Sequence, residues 1–158
     1  MSLIQFTSSR LLKRVFTFFL MFIMGLSNAI GETQTNQMRE NTVKVKFVFN
    51  DQTVFATLND TPSANDFVAQ LPLTVDLEDY ASTEKIAYLP RKLTTEGAPA
   101  GTKSKVGDLS YYAPWGNMVI FYKPFGYASG LINLGHIDGD ISRFVKGSSM
   151  KVTIELAE

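Results

Sequence analysis

From residue 42 to the end of this chain the apolar side chains recur at every second position, in one short run after another. In TVKVKFVF, Val43, Val45, Phe47 and Phe49 alternate with Thr42, Lys44, Lys46 and Val48, and in MKVTIELAE, Met150, Val152, Ile154 and Leu156 alternate with Lys151, Thr153 and Glu155. That period belongs to a strand with one buried face. TVFATL carries Val54, Ala56 and Leu58 on one side, LTVDLED carries Leu73, Val75 and Leu77, and EKIAYL, DLSYY, NMVIFY and GLINLGHI are strand-like runs of similar length. About eight short strands with no alternating strand–helix rhythm must either expose their edges or close. The pattern therefore predicts a mainly β fold, a closed and mostly antiparallel eight-stranded barrel with one or two short helices.

Between the strands the punctuation is specific. Asn50-Asp51-Gln52 supplies turn chemistry for a hairpin. In NDTPSANDFVAQLP, Asn59, Asp60 or Thr61 can cap a helix, Pro62 suits its first turn, Phe67, Val68 and Leu71 form an apolar stripe, and Pro72 stops it. A second short helix is predicted within Asp138 to Val145, with Ile141, Phe144 and Val145 inward. The Gly-, Pro- and Thr-rich stretch from Pro90 to Gly107 reads as a long surface loop, and KPFGYAS as a connector.

The N-terminal segment belongs to a different class of sequence. Arg10, Lys13 and Arg14 precede an apolar run from Val15 to Leu26, and Ser27-Asn28-Ala29 offers small residues to a signal peptidase. Residues 1–29 are thus predicted to be a secretory signal cleaved after Ala29, residues 30–41 a flexible polar tether, and residues 42–158 the folded domain. The apolar run is short of the roughly 20 residues that a spanning helix needs, so no membrane span is expected after cleavage. The expected destination is the periplasm or the exterior.

Removing Arg10, Lys13 and Arg14 from a chain with 15 basic and 15 acidic residues leaves a product of net charge about −3. Nothing in it forms the basic patch of a nucleic-acid binder. Cysteine is absent, so an exported domain of this sequence must be held by burial alone. With His136 the only histidine, no thiolate or multi-histidine metal site is available, and no metal or cofactor is assigned.

Candidate site residues concentrate in GDLSYYAPWGNMVIFYKPFGYASG, residues 107–130, which hold Tyr111, Tyr112, Trp115, Phe121, Tyr122, Phe125 and Tyr127. Alternation puts Met118, Ile120 and Tyr122 on one side of a strand and Val119, Phe121 and Lys123 on the other, so one set should fill the barrel and the other meet helices or solvent. Tyr111, Tyr122 and in part Phe121 are assigned to barrel packing. Trp115 in a turn, and Phe125 and Tyr127 flanking Gly126, are read as loop aromatics that offer rigid apolar contact area. Arg91, Tyr112, Trp115, Phe121, Phe125 and Tyr127 are the binding candidates, for a peptide or small apolar ligand. Glu78, Asp79 and Glu84 are read as a solvated face, and His136 as structural or surface.

The run EDYASTEKIAYLPRKLTTEGAPAG, followed by VGDLSYYAPWGNMVIFYKPFGYASGLINLGHIDG, resembles the small bacterial cyclophilin-like proteins. TEKIAYLPRKL, GDLSYYAPWGN and FGYASGLINLGHID are the specific pieces, and the resemblance runs from about Thr42 to Leu156. It implies a cyclophilin-type barrel with helices capping its ends, and, by association within the family, a flavodoxin-like partner. Cyclophilins proper isomerise prolyl bonds with an arginine in a Phe-His-Arg-Ile/Val segment, a run absent here, so no catalytic residue is carried across. The expected function is a binding module without isomerase activity. The alternative is a peptidyl-prolyl isomerase with a divergent site, in which Arg91 is the donor and Tyr112, Trp115, Phe121 and Tyr127 the proline pocket.

Overall fold

The computed structural model describes residues 42–145 and 149–158; the signal and tether expected over residues 1–41 lie outside the described residues. The strands are β1 (Lys44–Phe49), β2 (Gln52–Leu58), β3 (Leu73–Tyr80), β4 (Glu84–Tyr88), β5 (Gly101–Ser104), β6 (Asp108–Tyr112), β7 (Asn117–Phe121), β8 (Phe125–Ser129), β9 (Leu131–Asp138) and β10 (Ser149–Leu156). Two short helices complete the set, α1 (Pro62–Val68) and α2 (Ser142–Val145). Eight of the strands close into a barrel in the order β1-β10-β3-β4-β7-β6-β9-β2, and every neighbouring pair is antiparallel. The expected closed barrel is therefore the fold.

Its inside is filled as alternation requires. Val45, Phe47 and Phe49 from β1, Val54, Ala56 and Leu58 from β2, and Val152 and Ile154 from β10 join one core with Leu109, Met118, Ile120 and Leu134. Thr61 caps α1, its side chain accepting from the Ala64 backbone N–H at 3.3 Å, with Pro62 following it. Helix α1 follows β2 at the end where the Leu58 N–H donates to the Val43 carbonyl, and buries Phe67 there. Phe144 of α2 packs toward the other end of β1, edge-on to Phe47 at 5.7 Å and tilted against Phe49 at 5.3 Å. Tyr111 is buried, as expected, and its hydroxyl accepts from the Leu93 N–H at 3.1 Å, which ties the segment after β4 to the core.

Several expectations are corrected. The stretch from Pro90 to Gly107 is not a loop throughout, and KPFGYAS is not a connector: β5 and β8 pair into a separate two-stranded ribbon. Phe125 and Tyr127 accordingly lie on a strand and not on turns. Helix α2 is a single turn, too short to present a stripe, so Phe144 is buried while Val145 is exposed. Leu156 shares the inward row of β10 but pairs with Val45 at the end of the strand, where it is 50% exposed. Tyr122 falls just after the end of β7, so it does not continue the inward row of Met118 and Ile120.

These positions predict a sharp contrast in stability. Phe144→Ala is expected to cost about 3–5 kcal/mol, because it empties the space against Phe47 and Phe49. Leu156→Ala is expected to stay within about 0.5 kcal/mol. Urea unfolding of the two variants measures both.

Candidate functional site

β7 is the strand that creates a site, because all five of its residues are buried. Met118 and Ile120 face the barrel core, while Val119 and Phe121 face outward and join Ile86 and Leu131 in a second apolar cluster outside the barrel wall. Neither helices nor open solvent meet this outer face, contrary to expectation. Ala128 of the ribbon and Tyr112 pack against it instead.

Beside that cluster lies a cleft of about 230 Å³. Its walls come from Tyr80 of β3, Glu84 of β4, Tyr112 of β6, Asn117, Val119 and Phe121 of β7, Phe125 and Ala128 of β8 and Leu131 of β9, with Ala81 and Thr83 from the turn between β3 and β4. Trp115 enters from the turn between β6 and β7. That turn closes through the Gly116 N–H donating to the Tyr112 carbonyl at 2.9 Å, with Gly116 at φ +76°. Behind it Gly130, at φ +77°, lies so close to Pro114 that an added Cβ would stand 2.8 Å from the Pro114 Cδ. The glycines thus allow the backbone approach that fixes the tryptophan.

The indole, 46% exposed, meets the Tyr80 ring at 5.5 Å and 85°, and the Tyr112 ring at 5.5 Å and 79°. Phe125 stacks on Phe121 at 6.0 Å. Two edge-to-face contacts and one stack define an aromatic enclosure of fixed geometry.

Glu84 and Asn117 bring a carboxyl and an amide to this lining, beside the Thr83 hydroxyl. Glu84 is half-buried, and burial pushes its carboxyl up to about 7 from an ordinary 4.5. Asn117, 1% exposed, donates weakly from Nδ2 to the Met118 carbonyl at 3.4 Å, and its Oδ1 has no hydrogen-bond partner among the described residues. The adjacent carboxylate behaves in the opposite way. Asp79 accepts from the Tyr122 hydroxyl at 2.6 Å and lies 3.3 Å from the buried Lys85 ammonium, and these contacts hold its carboxyl below the usual range. Glu84 is therefore not part of a solvated face, which corrects its sequence reading, while Glu78 and Asp79 are exposed as expected.

The family pattern of the cyclophilin-like family matches residues 47–155. The chain belongs to the cyclophilin-like family. Among solved structures, the chain is similar to the solution structure of the hypothetical protein AF2241 from Archaeoglobus fulgidus. That likeness has a TM-score of 0.56 at 16% identity and covers 77% of this chain and 99% of the other, so it speaks for the fold alone. No curated protein matches.

Of the six sequence candidates in this cyclophilin-like domain, the fold brings four together: Tyr112, Trp115, Phe121 and Phe125. Tyr127, two residues along β8, is 59% exposed and outside the lining. Arg91 is also outside it; its guanidinium pairs with Asp66 of α1, which holds the Asp66 carboxyl below its usual range. Tyr80, Glu84 and Asn117 also line the cleft and were not among the candidates. The Tyr80↔Glu84 pairing across the β3–β4 hairpin is what brings the first two there. His136 lines a second, open and polar hollow, with Nδ1 3.2 Å from Asp108 Oδ1 and its ring over Gly107. Among the described residues no group of three or more acidic or histidine side chains is placed to hold a metal ion, and no helix is long and apolar enough to cross a membrane.

The raised carboxyl of Glu84 has a thermodynamic signature. Below about pH 4.5 the folded and unfolded chains both carry the proton; between about 4.5 and 7 the unfolded chain has released it and the folded chain has not. The unfolded state then binds fewer protons, so this group's contribution to stability falls as pH rises through that window and is flat above it. Partial exposure screens the effect, and the expected loss is on the order of 1–2 kcal/mol. Glu84→Gln should lack that component, so the wild type should lose this much relative to the variant when unfolding is measured at both ends of the window. Parallel pH profiles would contradict the burial of this carboxyl.

Proposed function

We propose that this protein is an exported cyclophilin-like binding module that takes a small apolar ligand, or a single peptide side chain, in the Trp115 cleft, and that it does not catalyse prolyl isomerisation. The observation that carries this reading is the convergence of Tyr80, Tyr112, Trp115, Phe121 and Phe125, from five different elements, on one cleft. Exposing large aromatic surface is unfavourable by roughly 25 cal/mol per Å². Clefts of this make, apolar with a few polar groups, are the usual form of small-molecule sites. A volume of about 230 Å³ is small beside the roughly 300–1,000 Å³ of drug-sized sites, which favours one ring or one side chain over an extended peptide.

The absence of isomerase activity is supported by Arg91. An isomerase needs a donor beside the prolyl nitrogen or the twisting carbonyl to lower a barrier of about 18–20 kcal/mol. Arg91 is committed to Asp66 and does not line the aromatic cleft. Export is supported by the basic, apolar and small-residue succession that ends at Ala29.

Titration of the intrinsic tryptophan fluorescence reports on the cleft directly, since Trp115 is the sole tryptophan. Benzyl alcohol and Phe- or Pro-containing peptides are expected to give a saturable change. Phe125→Ala should weaken it about tenfold while shifting the melting temperature little, because Phe125 is half-exposed. A flat titration across the panel would overturn the reading. In a protease-coupled assay on X-Pro peptides the expected rate is the uncatalysed one; acceleration that Arg91→Ala abolishes would favour the isomerase alternative.

A further inference from the structure

Charge in the lining of the Trp115 cleft is of one sign among the described residues, and this restricts its ligand further than apolarity does. Glu84 presents a carboxyl, and Asn117 an amide oxygen that is buried and without a partner among the described residues. No lysine or arginine lines the cleft, and Lys85, next to Glu84 in sequence, is buried beside Asp79. A carboxyl therefore lines the cleft without a lysine or arginine to match it, beside the hydroxyls of Thr83, Tyr80 and Tyr112, which can donate or accept. The aromatic rings add to the same bias, because their faces are electron-rich and attract cations, Trp most strongly. Tyr80 and Tyr112 each stand nearly perpendicular to Trp115, so ring faces and ring edges are presented together.

We propose that the cleft selects a protonated amine on an apolar body: an ammonium whose N–H groups donate to Glu84 and to Asn117 Oδ1, with its hydrocarbon portion against Phe121 and Phe125. The amine neutralises a carboxylate that burial otherwise disfavours, and it satisfies an acceptor that the fold leaves unpaired. A neutral ring of the same size would leave both groups unmet. The chemistry covers small aralkyl and alkyl amines and the free amino terminus of a peptide with a small apolar first residue. This rests on the Trp115 cleft being a ligand site.

The test compares benzylamine, benzyl alcohol and N,N,N-trimethylbenzylammonium by Trp115 fluorescence, at about pH 8 and fixed ionic strength. Benzylamine is expected to bind about tenfold or more tightly than benzyl alcohol, and the trimethylated ion, which has charge but no N–H, more weakly than benzylamine. Glu84→Gln should remove the preference for benzylamine over benzyl alcohol, read as the ratio of the two affinities in the same variant. If that variant does not fold, the three probes on the unaltered protein decide. Equal affinities for benzylamine and benzyl alcohol would overturn the amine assignment and leave the apolar binding module standing. Equal affinities for the amine and its trimethylated form would overturn donation to Glu84 and Asn117. No saturable change with any of the three would overturn both the assignment and the cleft as a ligand site.

Discussion

The burial of β7 on both faces is the constraint on which the rest of this structure depends. A barrel strand ordinarily gives one face to the core and one to water, but Val119 and Phe121 face away from the core and are still buried. Each such side chain contributes about 1.5–3 kcal/mol when removed from water, so the outer face of β7 has to be covered. The β5–β8 ribbon and the Trp115 turn provide the cover. They meet it incompletely, and the gap between them is the aromatic cleft.

Electrostatics then sets what the gap can recognise. Two carboxylates on one hairpin are pushed in opposite directions: Asp79, hydrogen-bonded to Tyr122 and beside Lys85, is held ionised, while Glu84, turned into the apolar lining, holds its proton to about 7. The Asp79–Lys85 contact joins residues that are directly paired across β3 and β4, so it also fixes the hairpin that carries Tyr80 and Glu84 to the rim.

Much of this was legible in the sequence because the barrel strands are half-buried and write their period into the chain. The inward rows of β1, β2 and β3, the Thr61-Pro62 helix start and the turn position of Trp115 all follow from local pattern. The ribbon does not: β8 is almost wholly exposed, so Phe125, Gly126 and Tyr127 carry no alternation, and their pairing with β5 is a tertiary event. Alternation separated Phe121 from Met118 and Ile120 but did not say which set meets the core, since what covers Phe121 lies elsewhere in the chain. Glu84 was misread for the same reason. Its sequence neighbours Thr83 and Lys85 suggest a wet strand end, and only the approach of Phe121, its cross-strand partner, shows that the carboxyl is drawn into an apolar wall.

The central claim is that an outward apolar strand and its incomplete cover form a ligand site at Trp115. Intermolecular nuclear Overhauser effects from bound benzylamine to side chains of the protein test it most directly. The expected result is contacts from the benzyl ring to Trp115, Phe121 and Phe125, with the amine-bearing methylene closest to Glu84 and Asn117. Contacts that instead fall on Thr57, Asn133 and His136, in the polar hollow on another part of the surface, would contradict it.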